Sequence, residues 1–204
     1  MPPRRVRIMG TMLSTLIARA PWLWPLLRGP TRRFWNRMAS RWGARTTTPG
    51  RMDGLEGALE ALGGRAPRRI LEIGTGFGDG AARLAERFPD AEIAAVDFSE
   101  EMLATARERL PERVRLQVAD AADLPFPDAS FDLVAQLNVP VYFAELGRVT
   151  APGGCVVVAS TLGPRTPYYT PHSVLRRKLA RRGLNELVSG SAGPGDFFIA
   201  CRPS

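Results

Sequence analysis

The chain has 204 residues, of which 45% are hydrophobic and 24% charged, and its net charge is +8. This length and composition are typical of a soluble, globular domain with an appendage. The charge is uneven, because residues 1–69 hold 14 arginines against three acids (net +11) whereas residues 70–204 have a net charge of −3. The acidic part therefore argues against a nucleic-acid-binding face on the domain, and no nucleic-acid partner is expected.

The first 49 residues, called the leader below, are basic and rich in tryptophan. Apolar residues at helical spacing predict one helix over 8–17, and a second is predicted over 31–42. All four tryptophans of the chain lie in the leader. A Thr-Thr-Thr-Pro-Gly run at 46–50 predicts the boundary with a domain that spans residues 50–204.

Interpretations of the leader compete. A secretory signal is disfavoured, since its apolar stretch is weak and Pro21 would follow the cleavage site. A spanning helix is disfavoured by Arg19 and two prolines within any window of about 20 residues. Two alternatives stay open, a basic amphipathic segment lying on an anionic membrane and a pair of helices that form a lid over the domain. The prediction is a cytoplasmic protein, with peripheral membrane association as the open alternative.

Strands and helices alternate through the domain. Helices are predicted over 55–62, 79–87, 99–110, 143–149 and 173–182, and strands over 69–73, 92–96, 114–118, 131–136, 155–160, 187–191 and 197–201. This alternation predicts an α/β fold, a doubly wound, seven-stranded and mostly parallel sheet with helices on both faces. Because the last two strands are joined by too short a connection for a crossover helix, they are predicted to form a terminal antiparallel hairpin.

The turn after the first strand has the sequence Ile-Leu-Glu-Ile-Gly-Thr-Gly-Phe-Gly-Asp-Gly, residues 70–80. A strand that breaks into a glycine turn and restarts as a helix exposes backbone N–H groups to a ligand. The dinucleotide pattern G-x-G-x-x-G fails here, because its third glycine would stand at Asp79. The observed pattern is E-x-G-x-G-x-G, which indicates a different ligand.

Four segments resemble class I S-adenosylmethionine-dependent methyltransferases of the small-molecule type, in order and at typical separations. They are Leu-Glu-Ile-Gly-Thr-Gly-Phe-Gly at 71–78, Ala-Val-Asp-Phe-Ser-Glu-Glu-Met-Leu at 95–103, Val-Ala-Asp-Ala-Ala-Asp-Leu-Pro-Phe at 118–126, and Ser-Phe-Asp-Leu-Val at 130–134 followed by Ala-Pro-Gly-Gly at 151–154. The resemblance covers three-quarters of the chain. It implies S-adenosyl-L-methionine as cofactor, methyl transfer to a small-molecule acceptor as activity, and no metal.

The resemblance also implies roles for particular residues. Glu72 would hold the glycine loop and the cofactor amine, Asp97 the two ribose hydroxyls, and Asp120 the adenine amino group. The other cofactor-binding residues implied are Gly74, Thr75, Gly76, Gly78, Phe98, Met102, Ala121 and Gln136, with Phe98 and Met102 packing on the adenine.

The acceptor is expected over the loops that follow the fourth and fifth strands. Tyr142 and Tyr168 are predicted to wall its pocket, and Tyr142 and His172 are the candidate catalytic groups, with His172 as a base. An ordinary loop position before a helix is the favoured alternative for His172. The connection from the fourth strand to Pro152 is shorter than is usual in the family, so this site would be open or roofed by the leader.

Two cysteines make no metal-ligand or C-x-x-C spacing. If the last strand pairs antiparallel with the fifth, Cys155 and Cys201 face each other. We predict neighbouring but reduced thiols, as is usual in a reducing cytosol.

Two other hypotheses remain open beside the enzyme. One is a catalytically silent cofactor-binding protein with the same fold, and the other a membrane-associated protein whose leader is the functional part. A membrane-bound leader would favour a lipid or quinone-like acceptor, and a lid a soluble one. Oligomeric state, and methylation at O, N or C, are not indicated by the sequence.

Overall fold

The structure is a computed structural model, and it describes residues 10, 12–13, 20–42 and 50–204. The leader helix predicted over 8–17 lies largely outside the described residues, as does most of the predicted boundary at 46–50. The second leader helix is longer than predicted: α1 spans Trp24–Trp42 and follows a short 3₁₀ turn, Pro21–Leu23. Within the described residues, no helix has the length and apolarity that a membrane span requires.

The domain contains five further helices and seven strands among the described residues. The helices are α2 Asp53–Ala61, α3 Asp79–Arg87, α4 Glu100–Arg107, α5 Phe143–Val149 and α6 His172–Ala180. The strands are β1 Arg69–Ile73, β2 Glu92–Asp97, β3 Val114–Val118, β4 Phe131–Leu137, β5 Thr150–Ser160, β6 Asn185–Ala192 and β7 Gly195–Cys201.

The strands form one sheet in the order β3-β2-β1-β4-β5-β7-β6. Strands β1 to β5 run parallel, and β7 pairs antiparallel with both β5 and β6. The predicted fold is therefore confirmed. Strand order reverses between β1 and β4, and in open α/β sheets ligands bind beyond the carboxyl ends of the strands at such a point.

Both faces of the sheet are buried, because successive side chains in a strand point to opposite faces. On β1, Ile70 packs into a cluster with Leu59 and Leu84 of α2 and α3. Its neighbour Leu71 packs into the opposite cluster with Leu146 and Leu179 of α5 and α6. The two-sided apolar pattern of the central strands thus places helices on both faces.

Two element boundaries differ from the sequence prediction for local reasons. Strand β5 begins at Thr150 rather than at residue 155, and a register shift opposite Phe131 and Leu133 accommodates the Pro-Gly-Gly run. Helix α4 ends at Arg107 rather than at residue 110, because Pro111 has no N–H to donate to the Arg107 carbonyl and disfavours helical geometry at Leu110.

The two cysteines are directly opposite each other in the β5–β7 register, as predicted. Their Cα atoms are 4.0 Å apart, and Cys155 and Cys201 form a disulfide. The prediction of reduced thiols is therefore wrong: an antiparallel register that places two thiols face to face also brings them within bonding reach. The cysteines consequently give no support to the predicted cytoplasmic location.

The disulfide should contribute measurably to stability, since it links positions 46 residues apart. Replacing both cysteines by serine is expected to lower the free energy of unfolding by about 2–4 kcal/mol. Urea unfolding with and without reductant measures this, and only the wild type should respond to the reductant. Two titratable thiols in denatured, unreduced wild type would contradict the disulfide.

Candidate active site

The loop between β1 and α3 forms the floor of the site. Gly74 has φ +71°, and a Cβ there would lie 2.3 Å from Val139 Cγ2, so the loop packs closely against the segment after β4. Gly76 has φ +55°, but a Cβ there would meet only Met102 Sδ, at 3.9 Å. At Gly76 the backbone conformation selects glycine, and the free space beside its Cα leaves room for a ligand.

Glu72 is a buried carboxylate beneath this loop, with only 3% of its surface exposed. It accepts a hydrogen bond from the Thr75 hydroxyl, and its Oε1 lies 1.9 Å from where a Cβ of Gly80 would be. Burial raises the pKa of Glu72 to about 7, against the hydrogen bond from Thr75, which lowers it. The carboxylate thus braces the loop from inside, as the family resemblance implies.

Asp97, at the end of β2, holds the same loop from the side. Its Oδ2 accepts from the Gly76 N–H at 2.9 Å, and its Oδ1 accepts from the Ser99 N–H at 3.0 Å. Burial raises the pKa of the Asp97 carboxyl, and these backbone N–H groups oppose the shift. A carboxylate has acceptor sites beyond these bonds, so Asp97 can accept from a further hydroxyl, as binding a ribose requires.

Helix α4 supplies the next wall of the site. The Ser99 hydroxyl caps it by accepting from the Met102 N–H at 3.3 Å. Met102 is buried against Phe77 of the glycine loop, and Phe98 is half-buried at the start of this segment. The two residues predicted to pack on an adenine therefore lie next to the Asp97 carboxylate.

Asp120, after β3, has a partner that the sequence did not predict. Trp24 of the leader donates its indole N–H to both carboxylate oxygens, at 2.9 and 2.7 Å. Asp120 Oδ1 also accepts from the Ala122 N–H at 2.9 Å, and the half-buried Ala121 between them packs against the core. Trp24 is 7% exposed, and its ring centroid lies 6.4 Å from that of Phe98.

The leader helix lies across the site from this point to the glycine loop. Trp35 packs against Phe77 and Met102, and its ring centroid is 6.1 Å from that of Tyr168. Burial raises the pKa of Tyr168 to about 12, and a hydrogen bond with Trp35 opposes the shift. These contacts agree with the lid interpretation of the leader for its described part.

The loop after β4 contains the predicted acceptor residues. Gln136 is buried and donates its amide to the Val139 carbonyl at 3.2 Å, so its side chain holds the loop. The Tyr142 ring is 5.5 Å from Trp24, and its hydroxyl is buried with no hydrogen-bond partner among the described residues. Burial, and secondarily the charge of Asp120, raise the pKa of Tyr142 well above its ordinary value.

Asn138 ties the loops after β4 and β5 together. It adopts φ +58°, a left-handed conformation that asparagine tolerates better than most residues. Its amide donates to Thr161 Oγ1 at 2.6 Å, and its carbonyl oxygen accepts from the Thr161 N–H at 2.9 Å. The Thr161 hydroxyl in turn donates to the Arg51 carbonyl at 3.2 Å.

His172 begins helix α6 and contacts the far hairpin. Its Nε2 lies 2.8 Å from Asp196 Oδ1 of β7, and its ring packs 5.5 Å from Phe198. These partners connect His172 to β7, beyond β5 in the sheet order, rather than to the glycine loop. A role as base stays a prediction. Among the described residues, no cluster of His, Cys, Asp and Glu side chains could hold a metal ion.

Geometry and sheet order define a Rossmann-like domain, and the three carboxylates predicted to bind the cofactor lie at the carboxyl ends of β1, β2 and β3. Residues 70–154 match the family described as a methyltransferase domain. A demethylmenaquinone methyltransferase of Deinococcus radiodurans is 38% identical over 146 residues, which cover 67% of this chain and 60% of the relative. One of Thermus thermophilus is 47% identical over 104 residues, or 46% of this chain and 47% of the relative.

Solved structures of methyltransferases have a similar fold. A SAM-dependent methyltransferase from Aquifex aeolicus superposes with a TM-score of 0.65 at 20% identity, over 79% of this chain and 97% of that one. The chain carries a class I S-adenosylmethionine-dependent methyltransferase domain. It spans 60% and 47% of the length of the two curated relatives.

The Asp97 carboxylate should be needed for cofactor binding. Asp97→Ala is expected to weaken the binding of S-adenosylmethionine and its demethylated product by about 30-fold or more, since charged hydrogen bonds to the ribose are lost. Calorimetry measures this, with the exposed Asp90→Ala at the other end of β2 as the matched control. Equal affinities for wild type and Asp97→Ala would contradict the assignment.

The raised pKa of Glu72 makes stability depend on pH. Between the ordinary pKa of 4.5 and the folded value of about 7, the folded protein holds a proton that the unfolded chain has released. Glu72 should therefore lower stability by about 3 kcal/mol as pH rises through this window, and Glu72→Gln should reduce the fall by about that amount. Urea unfolding at about pH 3.5 and about pH 8, roughly one unit outside each limit, measures this fall in stability.

The exposed Glu86→Gln in α3 is the matched control for this comparison and should retain the wild-type pH dependence. If Glu72→Gln kept the same dependence as the wild type, another group would be its source.

Proposed function

We propose that this protein transfers a methyl group from S-adenosylmethionine to a small, apolar, quinone-like acceptor. The observation that carries the proposal is the set of three carboxylates, Glu72, Asp97 and Asp120, which follow or end three neighbouring strands around one glycine loop. Free space beside Gly76 fits a ligand lying against that loop. The residues therefore fit a cofactor with an amine, a ribose and an adenine.

The cofactor, when bound, supplies an electrophilic methyl group on a sulfonium, so the protein needs chiefly to bind and orient. Glu72 would hold the loop and the amine side of the site, and Asp97 the ribose. Phe98 and Met102 would pack on the adenine, and the Ala121 N–H and the Asp120 carboxylate would bind its edge. Gln136 would act indirectly, through the Val139 carbonyl that it holds.

The acceptor proposal is supported by the groups beside this site. Tyr142 and Tyr168 would form its pocket wall: their rings lie against Trp24 and Trp35 of the leader, and the Tyr142 hydroxyl lacks a partner among the described residues. Because its pKa is raised, Tyr142 would remain protonated and donate a hydrogen bond to an acceptor oxygen rather than take a proton. The relative from Deinococcus radiodurans is named for a quinone substrate of this chemical class.

The outward side of the leader supports presentation of such an acceptor by an anionic membrane surface. Trp22 and Leu26 are 74% and 75% exposed. The exposed Arg33 lies seven residues, about two helical turns, after Leu26 and so on the same side of α1, which contains no acidic residue. Apolar side chains beside cations match the boundary between acyl chains and anionic headgroups. This face differs from the one that carries Trp24 and Trp35 towards the domain, so a lid and a membrane contact are compatible.

The full chain should methylate a short-chain demethylmenaquinone, followed with S-adenosylmethionine labelled at the methyl group. Tyr142→Phe is expected to lower kcat/KM about 5- to 10-fold, because one hydrogen bond to the acceptor is lost, while cofactor affinity stays unchanged. Loss of cofactor binding in this variant would assign Tyr142 to the cofactor instead.

Supplying the quinone in different vesicles or in detergent tests membrane presentation independently of methyl transfer. Turnover should be faster with the quinone in anionic vesicles than in zwitterionic ones, and Trp22→Ser with Leu26→Ser should remove that advantage but not turnover in detergent. Equal rates in both vesicles would contradict membrane presentation. Cofactor binding without methylation of any acceptor would favour the catalytically silent protein.

A further inference from the structure

Trp24 contacts two of the four residues that the cofactor proposal assigns to the adenine, Asp120 and Phe98. Its indole N–H donates to both oxygens of Asp120, at 2.9 and 2.7 Å. Its ring lies 6.4 Å from that of Phe98 and 5.5 Å from that of Tyr142. The indole is 7% exposed, so these contacts bury it almost completely.

An indole and an adenine make the same demands on such a site. Both are flat aromatic bicycles that pack on neighbouring rings, and both present an N–H donor at the edge. We propose that Trp24 occupies the adenine position of the cofactor site, so that the docked leader excludes the cofactor there and must move for it to bind. The inference rests on the proposed function, because it takes the adenine position from that function.

The leader helix contains a point at which such a movement can occur. Pro30 lies inside α1, where it has no N–H for the helical hydrogen bond to the Leu26 carbonyl. Its neighbour Gly29 has no atom within 4 Å of a built Cβ, so nothing packs against that side of the helix. Trp24 lies before this point, and Trp35 lies after it.

The second half of the helix has its own anchor. Trp35 packs on Phe77 and Met102 and contacts Tyr168, none of which is a partner of Trp24. The segment with Trp24 can therefore swing out at Gly29 and Pro30 while Trp35 stays in place. The leader would then act as a tethered competitor for the adenine position and not as a cover over bound cofactor.

A tethered competitor lowers the apparent affinity for the cofactor by the fraction of molecules in which the site is free. Trp24→Phe keeps most of the ring packing but removes the N–H that bonds the Asp120 carboxylate. It should tighten the binding of S-adenosylhomocysteine about tenfold. Trp24→Ala should tighten it further, and the exposed Trp22→Phe should leave it unchanged.

Calorimetry on the full chain distinguishes a competitor from a cover by the direction in which the affinity for S-adenosylhomocysteine changes. Tighter binding in Trp24→Phe supports competition, whereas equal or weaker binding overturns it, and weaker binding assigns Trp24 to a cover that contacts the cofactor. If neither the wild type nor any variant binds S-adenosylhomocysteine, the proposed function fails, and this inference fails with it.

Limited trypsin digestion gives a second readout that does not depend on affinity. Arg28, on the mobile side of Gly29 and Pro30, should be cut faster in wild type when S-adenosylhomocysteine is present, because the ligand displaces the segment. The Trp24→Ala variant should be cut quickly with or without ligand. Protection of the wild type by ligand would overturn the proposal.

Discussion

The buried carboxylate of Glu72 is the constraint on which the site depends. Placing a carboxylate in a protein interior is unfavourable unless neighbouring groups satisfy it. Here the Thr75 hydroxyl donates to it, and Gly80 leaves it the space that a side chain would fill. The loop conformation is therefore the one that brings the Thr75 hydroxyl to the carboxylate and leaves space for it at Gly80. That conformation points the Gly76 N–H at Asp97, so two acids at the ends of neighbouring strands fix one loop between them.

Much of the fold could be predicted, because its signals are local. The apolar runs and glycine turn gave β1 and α3 with their observed limits, and the same is true of β3 and α5. The start of β5 could not be predicted, since proline and glycine ordinarily end a strand and only a register shift keeps them in it. The disulfide was missed although the pairing of Cys155 with Cys201 was correct, because the pattern fixes position and not oxidation state.

The candidate site also has features that could be predicted from the sequence and others that could not. Carboxylates at strand ends could be placed from sequence, because parallel strands bring their ends to one edge of the sheet. The contact of Trp24 with Asp120 could not, since it joins residues 96 positions apart. The spacing of apolar residues indicates that the leader is helical, but not which of its tryptophans turns towards the domain. Which tryptophan is buried depends on the surface that the helix packs against, and here Trp24 faces the domain and Trp22 faces solvent.

The hydrogen bonds of Asn138 have a mechanical consequence. Since Asn138 bonds both the backbone N–H and the hydroxyl of Thr161, the loops after β4 and β5 cannot shift separately without breaking two bonds. The hydroxyl also reaches the Arg51 carbonyl, just before α2 and just after the chain leaves the leader. The residues just before α2 are thus joined by hydrogen bonds to both loops beside the proposed acceptor, so the start of the domain and these two loops are held in one relative position.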